Sequence, residues 1–262
     1  MLRTDYIRST KSRVNIQRIL TFFILIILFF WSSRGADVQP TKLFEGLPRM
    51  ADFFSRMVPP DTSVAKTVFK SMVETIQIAL FGTFLSAIIS FFAGILAAEN
   101  ITPRYINRPV KWLLAMLRGI PVILLALLFV STVGLGPFPG VLAIALHSTG
   151  MLGKFYSEAM ENAQIGPIEA LESAGANFVQ KIRFGILSQV APDLARDTLF
   201  RFELNLRESL VLGLVGAGGI GFYILLYIRS FQYEKVATLT LVVLVAVVII
   251  EQISISIRKS LR

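Results

Sequence analysis

Two stretches of this 262-residue chain carry no formal charge: 24 positions from Thr75 to Ala98, and 35 from Gly119 to Gly153. A core helix of a soluble protein rarely needs more than a dozen such positions, whereas a helix crossing a bilayer needs about 20. The composition agrees, since 54% of the residues are hydrophobic and 16% are charged, against roughly 25% charged in an average soluble domain. The 26 Lys and Arg against 17 Asp and Glu give a net charge of +9. In a membrane protein this points to loops held at an anionic cytoplasmic leaflet rather than to nucleic acid. Cys is absent, which removes disulfides, thiol nucleophiles and Cys-ligated metals together, and a single His gives metal chemistry little to build on. The chain reads as an all-α integral membrane protein with no cofactor.

Six transmembrane helices are expected. A basic tail (Arg3, Arg8, Lys11, Arg13, Arg18) precedes the apolar run Ile19–Trp31, which reads either as a retained signal anchor or as a cleaved signal. Ser33-Arg34-Gly35 is a poor small-x-small cleavage site and favours the anchor. In the polar stretch that follows, Phe44, Leu47, Met50, Phe53 and Phe54 recur at helical spacing, the pattern of a short amphipathic helix on the membrane surface. Further spans are expected at about 72–98, 110–133, 141–156, 192–215 and 236–257, with the Gly/Pro-rich residues 134–140 turning the chain between the third and fourth. Six spans put both termini on one side. The positive-inside rule makes that side, the 99–109 loop and the 158–189 segment cytoplasmic, although six Lys/Arg within residues 34–70 fit the rule less well. The expected organisation is an N-terminal part over 1–70, a transmembrane core over 71–257, and a short cytoplasmic tail over 258–262.

The most informative segment is 158–189. Pro167 suits a first helical turn, Ile168–Ala174 is a good helix former, and Gly175 breaks it. Phe178, Ile182 and Ile186 then form an apolar stripe at helical spacing. The pattern is a helix, a glycine corner and a second helix, which would lie along the membrane and offer an acid-tipped surface to a partner.

Glu169-Ala170-Leu171, with Gly175 six positions after the Glu and Leu187 twelve further on, resembles the EAA loop of bacterial ABC-importer permeases. The Pro usual after that Leu is Ser188 here, and a Pro follows at Pro192. Arg118-Gly119-Ile120-Pro121, Gly134-Leu135-Gly136-Pro137-Phe138, Ala145 to Gly150, Leu152-Gly153-Lys154, Asn205 to Ser209 and Val211 to Gly221 are similar, in order, to the phosphonate-importer permease subfamily. Positions 122–125 (Val-Ile-Leu-Leu) depart from the acid and Trp often found there. The resemblance implies a type I importer permease-like fold in a bacterial inner membrane. It also implies a second permease, another copy of this chain or a similar one, two ABC ATPase subunits seated on the EAA loops, and an extracytoplasmic binding protein delivering phosphonate, phosphite, hypophosphite or phosphate. The chain has no G-x-x-x-x-G-K-[ST] loop of its own, so ATP hydrolysis would fall to another polypeptide.

Charges within spans are costly and tend to mark pathways. Glu203 and Arg207 share a helix face and can pair, with Glu208 adjoining. They could line the path of an anionic solute or merely fix helix packing. Arg118 could sit at the pore or snorkel to the interface, and His147 could donate to an oxyanion or to a neighbouring helix. Gly82, Ser86, Ser90 and Gly94 form a small-residue stripe suited to helix packing. Gly216-x-Gly218-x-x-Gly221 matches a dinucleotide fingerprint, but the βαβ context such a site needs is missing, so close helix packing is the better reading. Two other functions share parts of this pattern: a permease for methionine, another amino acid or a sulfonate, and, more distantly, a membrane nucleotide-dependent oxidoreductase.

Overall fold

A computed structural model describes residues 2–260, with side chains from Arg18 onward. The chain divides into two compact units at Ser55/Arg56. The first unit holds α1 (Leu2–Gly35) and α2 (Pro40–Ser55). The second holds α3 (Ala65–Ala97), α4 (Arg104–Gly119), α5 (Val122–Val133), α6 (Pro137–Glu161), α7 (Ile165–Ser173), the single turn α8 (Phe178–Gln180), α9 (Ser188–Gly213), α10 (Gly219–Arg229) and α11 (Tyr233–Ser260). No strand occurs among the described residues.

The all-α expectation holds, but six spans are not found. Among the described residues three helices are long and apolar enough to cross a membrane: Arg18–Gly35 within α1, Thr62–Ala97 and Tyr233–Ser260. A fourth crossing exists only if α4 and α5, bent by 85° at their junction, are counted as one. The bend falls at Ile120-Pro121, where an extended Ile120 precedes a proline that opens α5; the pre-proline position disfavours helical backbone. The stretches expected as the fourth and fifth spans are helical, yet neither is apolar enough. His147, Ser148, Thr149 and Lys154 lie along α6, and α9 carries Asp193, Arg196, Asp197, Arg201, Glu203, Arg207 and Glu208. Of these, Ser148, Thr149, Arg201 and Glu203 are buried against neighbouring helices.

α6 is the axis of the second unit and packs along α3. The small-residue stripe of α3 is the seam: a Cβ added to Gly82 would come within 2.7 Å of Ile144, and one added to Gly94 within 2.8 Å of Tyr156. Ser90 Oγ donates to the Thr149 carbonyl at 3.3 Å. On another face of α6, Gly150 lets the backbone of α4 approach, so that a Cβ there would meet Arg118 N at 2.8 Å and Leu114 O at 2.9 Å. Small residues in register bring backbones close, which is the usual route to helix association where water supplies no hydrophobic drive.

The polypeptide between α3 and α4 and the end of α6 meet at one end of this bundle. Lys111 bridges Glu99 at 2.7 Å and Glu161 at 2.9 Å, and Asn100 Nδ2 donates to the Met160 carbonyl at 2.8 Å. The hydrogen bond from Lys111 holds the exposed Glu99 carboxyl below its ordinary range. Segment 162–187 therefore leaves the bundle at the end marked by Arg104, Arg108 and Lys111.

Candidate functional site

That departing segment folds as helix, corner, helix. α7 stops at Ala174, and Gly175 takes φ +81°, a backbone region that costs a residue with a Cβ roughly 1–2 kcal/mol. Ala176 N then donates to the Leu171 carbonyl at 2.9 Å, closing the corner. Asn177 restarts the helix with a capping box: its Oδ1 accepts from Gln180 N at 2.9 Å, and Gln180 Oε1 accepts from Asn177 N at 2.8 Å. This reciprocal arrangement satisfies two orphan donors at once. The next seven residues, Lys181–Leu187, wind as a π-helix before α9 begins. The two arms close on each other because Gly185 is small, a Cβ there lying 3.2 Å from Leu171 and 3.3 Å from Ile168. Lys181 Nζ bonds Glu172 at 2.8 Å across the pair.

Of the residues singled out here, Glu169, Ala170 and Gly175 are exposed, while Leu171 and Leu187 are half-buried against the second arm and the bundle. Ile165, Phe178, Val179 and Phe184 leave large apolar side chains uncovered on the same projection. Exposed apolar groups ringed by Glu169, Glu172 and Arg183 are the composition of a contact surface rather than of a solvated loop.

The polar residues singled out for a solute path do not form one cluster. Arg118 ends α4 beside Lys154, Glu158 and Glu161, lining a cavity of about 190 Å³ between α4 and α6. His147 is half-buried, its Nδ1 3.1 Å from the Ile120 carbonyl, and it faces the charges of Glu208 and Arg201. Glu203 and Arg207 do not pair with each other, contrary to the expectation from their spacing. Both turn to α11 instead, Glu203 accepting from Arg258 at 2.7 Å and Arg207 bonding Glu251 at 2.9 Å. Spacing of four residues permits a pair but does not compel one when a neighbouring helix offers opposite charges.

The residue that sequence reasoning missed is Arg201. It is 2% exposed, the largest side chain so deeply buried among the described residues. Its Nη2 is held by both oxygens of Glu208 at 3.0 and 2.9 Å, and its Nε donates to Ser148 Oγ at 2.9 Å. Ser148 donates on to Asn205 at 2.8 Å, and Asn205 to Thr83 at 2.7 Å, so one chain of polar contacts ties α9 to α6 and α3. The available signal was the seven-residue spacing of Arg201 and Glu208, which puts both on one helix face.

The glycine run is filled by protein. Gly218 and Gly219 have φ +77° and +72°. Gly219 N donates to Glu74 Oε1, and Ile220 N to Thr75 Oγ1, both at 2.8 Å, so α3 side chains cap the start of α10. Pro137 occupies the space a Gly218 side chain would need, and a Cβ on Gly221 would collide with the Leu210 carbonyl. We expect Gly221→Ala to cost about 1–3 kcal/mol, the range for overpacking, read as a lower melting temperature of the detergent-solubilised protein. A melting temperature equal to wild type would show that α9 and α10 are not in close contact.

Comparison with known proteins agrees with this architecture. The family model of binding-protein-dependent transport system inner membrane components matches residues 90–259. A phosphite transport system permease protein of Stutzerimonas stutzeri is 37% identical over 238 residues, 90% of this chain and 86% of that protein. A phosphate-import permease protein of Mycolicibacterium smegmatis is 37% identical over 88% of this chain, which spans 43% of that longer protein. Among solved structures, a chain of the MetNI methionine ABC transporter in an inward-facing conformation superposes with a TM-score of 0.69 at 20% identity, covering 77% of this chain and 99% of that one. Family match and relatives together establish that the chain belongs to the binding-protein-dependent transport system inner membrane components, as a non-catalytic, multi-pass permease subunit of an ABC-type importer.

Proposed function

We propose that this permease moves phosphonate or a related phosphorus oxyanion, phosphite, hypophosphite or phosphate, into the cell. The observation that carries the solute class is the 37% identity over 90% of the chain to a protein named for phosphite transport. The likeness to a methionine transporter stands at 20% identity, a level that speaks for the fold alone, so it does not draw the solute towards amino acids. The solute would come from an extracytoplasmic binding protein, and the energy from two ABC ATPase subunits outside this chain. A second copy of the permease would complete the pore.

In this reading the 158–189 element is the ATPase seat, with Glu169, Ala170, Leu171, Gly175 and Leu187 shaping it. Its exposed apolar side chains and its exit beside Arg104, Arg108 and Lys111 support a cytoplasmic placement, because Lys/Arg-rich loops stay on that side. With the bent α4–α5 pair as a fourth crossing, the N-terminal tail, with its five basic residues, and the Arg258-Lys259 end would share that side. Closure of the ATPase dimer on ATP would pull this element, and the π-helical join to α9 would pass the motion to the helices around α6. Arg118, His147, Glu203, Arg207 and Glu208 are the side chains we propose along or beside the solute's route.

The test is uptake of labelled solute by cells carrying the complete transporter, with unlabelled competitors. Phosphite, phosphonate or phosphate in excess should suppress uptake several-fold. Strong competition by methionine or taurine with none from the phosphorus oxyanions would reject the solute class while leaving the permease assignment untouched.

A further inference from the structure

Helix α2 has no buried residue, and it sets most of its apolar side chains opposite its charged ones, with Phe44 and Phe53 at the borders. Leu43, Leu47, Met50 and Phe54 fall within one narrow stripe by the 100° advance per residue of an α-helix, and they are between 48% and 64% exposed. Lys42, Glu45, Arg49 and Asp52 occupy the opposite face. Among the described residues of its own unit, nothing covers the apolar stripe.

What that stripe faces follows from how α2 is attached. The apolar part of α1, Arg18–Gly35, is 18 residues long, about 27 Å at 1.5 Å per residue, close to the ~30 Å hydrocarbon thickness of a bilayer. Its end is a built corner. Asp37 takes φ +49°, Val38 N donates to the Ser33 carbonyl at 3.0 Å and Asp37 N to the Arg34 carbonyl at 3.2 Å, the paired bonds of a Schellman cap. Gln39 Nε2 donates to Asp37 Oδ1 at 2.6 Å, and Lys42 lies 3.8 Å from the same carboxylate. Four residues, 36–39, separate the helices, a reach of at most about 14 Å even fully extended, and the cap shortens it. An apolar stripe held that close to the end of a membrane-spanning helix has the bilayer interface within reach.

We propose that α2 lies in the membrane interface on the side opposite the basic tail, its Leu43–Leu47–Met50–Phe54 stripe turned into the lipid and its charged face in water. Helices of this kind sink their apolar face about 5–10 Å into the headgroup/acyl boundary. The charged face is balanced, Lys42 and Arg49 against Glu45 and Asp52, so apolar partition rather than charge drives the contact, and lipid composition matters little. The occupant is the lipid surface itself, which makes α2 an anchor that fixes how deeply α1 sits.

The chain contains no cysteine, so single spin labels can be introduced directly into the full-length protein in nanodiscs of zwitterionic phosphatidylcholine. Labels at Leu47→Cys and Phe54→Cys should be several-fold more accessible to oxygen than to a water-soluble nickel chelate, and labels at Glu45→Cys and Asp52→Cys should show the reverse. The same pattern should persist when anionic lipid is added. Equal nickel access at all four positions would overturn the proposal. So would shielding of Leu47→Cys and Phe54→Cys from both reagents, the sign of a protein partner, or a lipid-facing pattern that appears only with anionic lipid.

Discussion

Replacement of Arg201 by alanine is expected to lower stability by roughly 3–5 kcal/mol, the cost of removing one partner of a buried ion pair. The guanidinium is 2% exposed and Glu208 is 25% exposed, so solvent screens the pair weakly. Truncation would strand the Glu208 carboxylate and remove the donor that Ser148 accepts from. The neighbouring Asn205–Thr83 hydrogen bond is a neutral contact of the kind that averages about 0.6 kcal/mol inside membranes, so Thr83→Val should be much milder. The measurement is the melting temperature of the detergent-solubilised protein. Arg201→Met combined with Glu208→Leu should recover most of the loss, because it removes both charges together and leaves an apolar contact in their place. If Arg201→Ala melts like wild type, or if the double variant is worse than either single one, the pair is not buried as described and the tie between α9, α6 and α3 has another origin.

This pair also shows where sequence reasoning stopped. The uncharged run from Thr75 was legible as a membrane-type helix because hydrocarbon tolerates little else, whereas the run from Gly119 breaks into the short α5 and the mixed α6 and does not give the two spans expected of it. The helix–glycine–helix segment was legible because Pro167, Gly175 and the apolar positions act locally, through backbone conformation; the capping box at Asn177 emerged only in the structure. Counting six spans treated every long helix as facing lipid. Whether Ser148 or Arg201 meets lipid or another helix depends on partners 53 residues away in the chain, and hydropathy along one helix carries no record of that. The same limit misassigned Glu203 and Arg207. Their spacing suited a pair on one helix face, but Arg258 and Glu251 on α11, 55 and 44 residues away, are better placed. The dinucleotide-like glycines went the other way. The missing βαβ context was enough to discount them, and the structure supplies the reason for their presence, which is the close meeting of α10 with Glu74, Thr75, Pro137 and Leu210.

Gly175→Asp and Glu169→Lys are each expected to abolish solute uptake while the permease still inserts and folds. The expectation rests on a contrast between local cost and proposed role. A Cβ at position 175 would meet nothing within 4 Å, so the substitution pays only for its φ of +81°, about 1–2 kcal/mol, and Asp tolerates that region better than most residues. Glu169 is exposed, and changes at such surface positions usually stay within about 0.5 kcal/mol. Neither variant has a folding reason to fail. Each changes charge on a surface that carries uncovered Ile165, Phe178 and Phe184, and a like charge or an unpaired one at a docked interface costs several kcal/mol. The two measurements needed are co-purification of the ATPase subunits with the permease and uptake by the assembled transporter. Loss of both with a normal yield of monodisperse permease is the expected result. Normal ATPase association together with normal uptake in both variants would remove 158–189 as the seat and send the search to another face of the end marked by Arg104, Arg108 and Lys111. Loss of uptake with the ATPase still bound would place the fault after docking, in the π-helical join Lys181–Leu187, where a seven-residue break in the helical repeat lies between the projecting corner and the buried charges of α9.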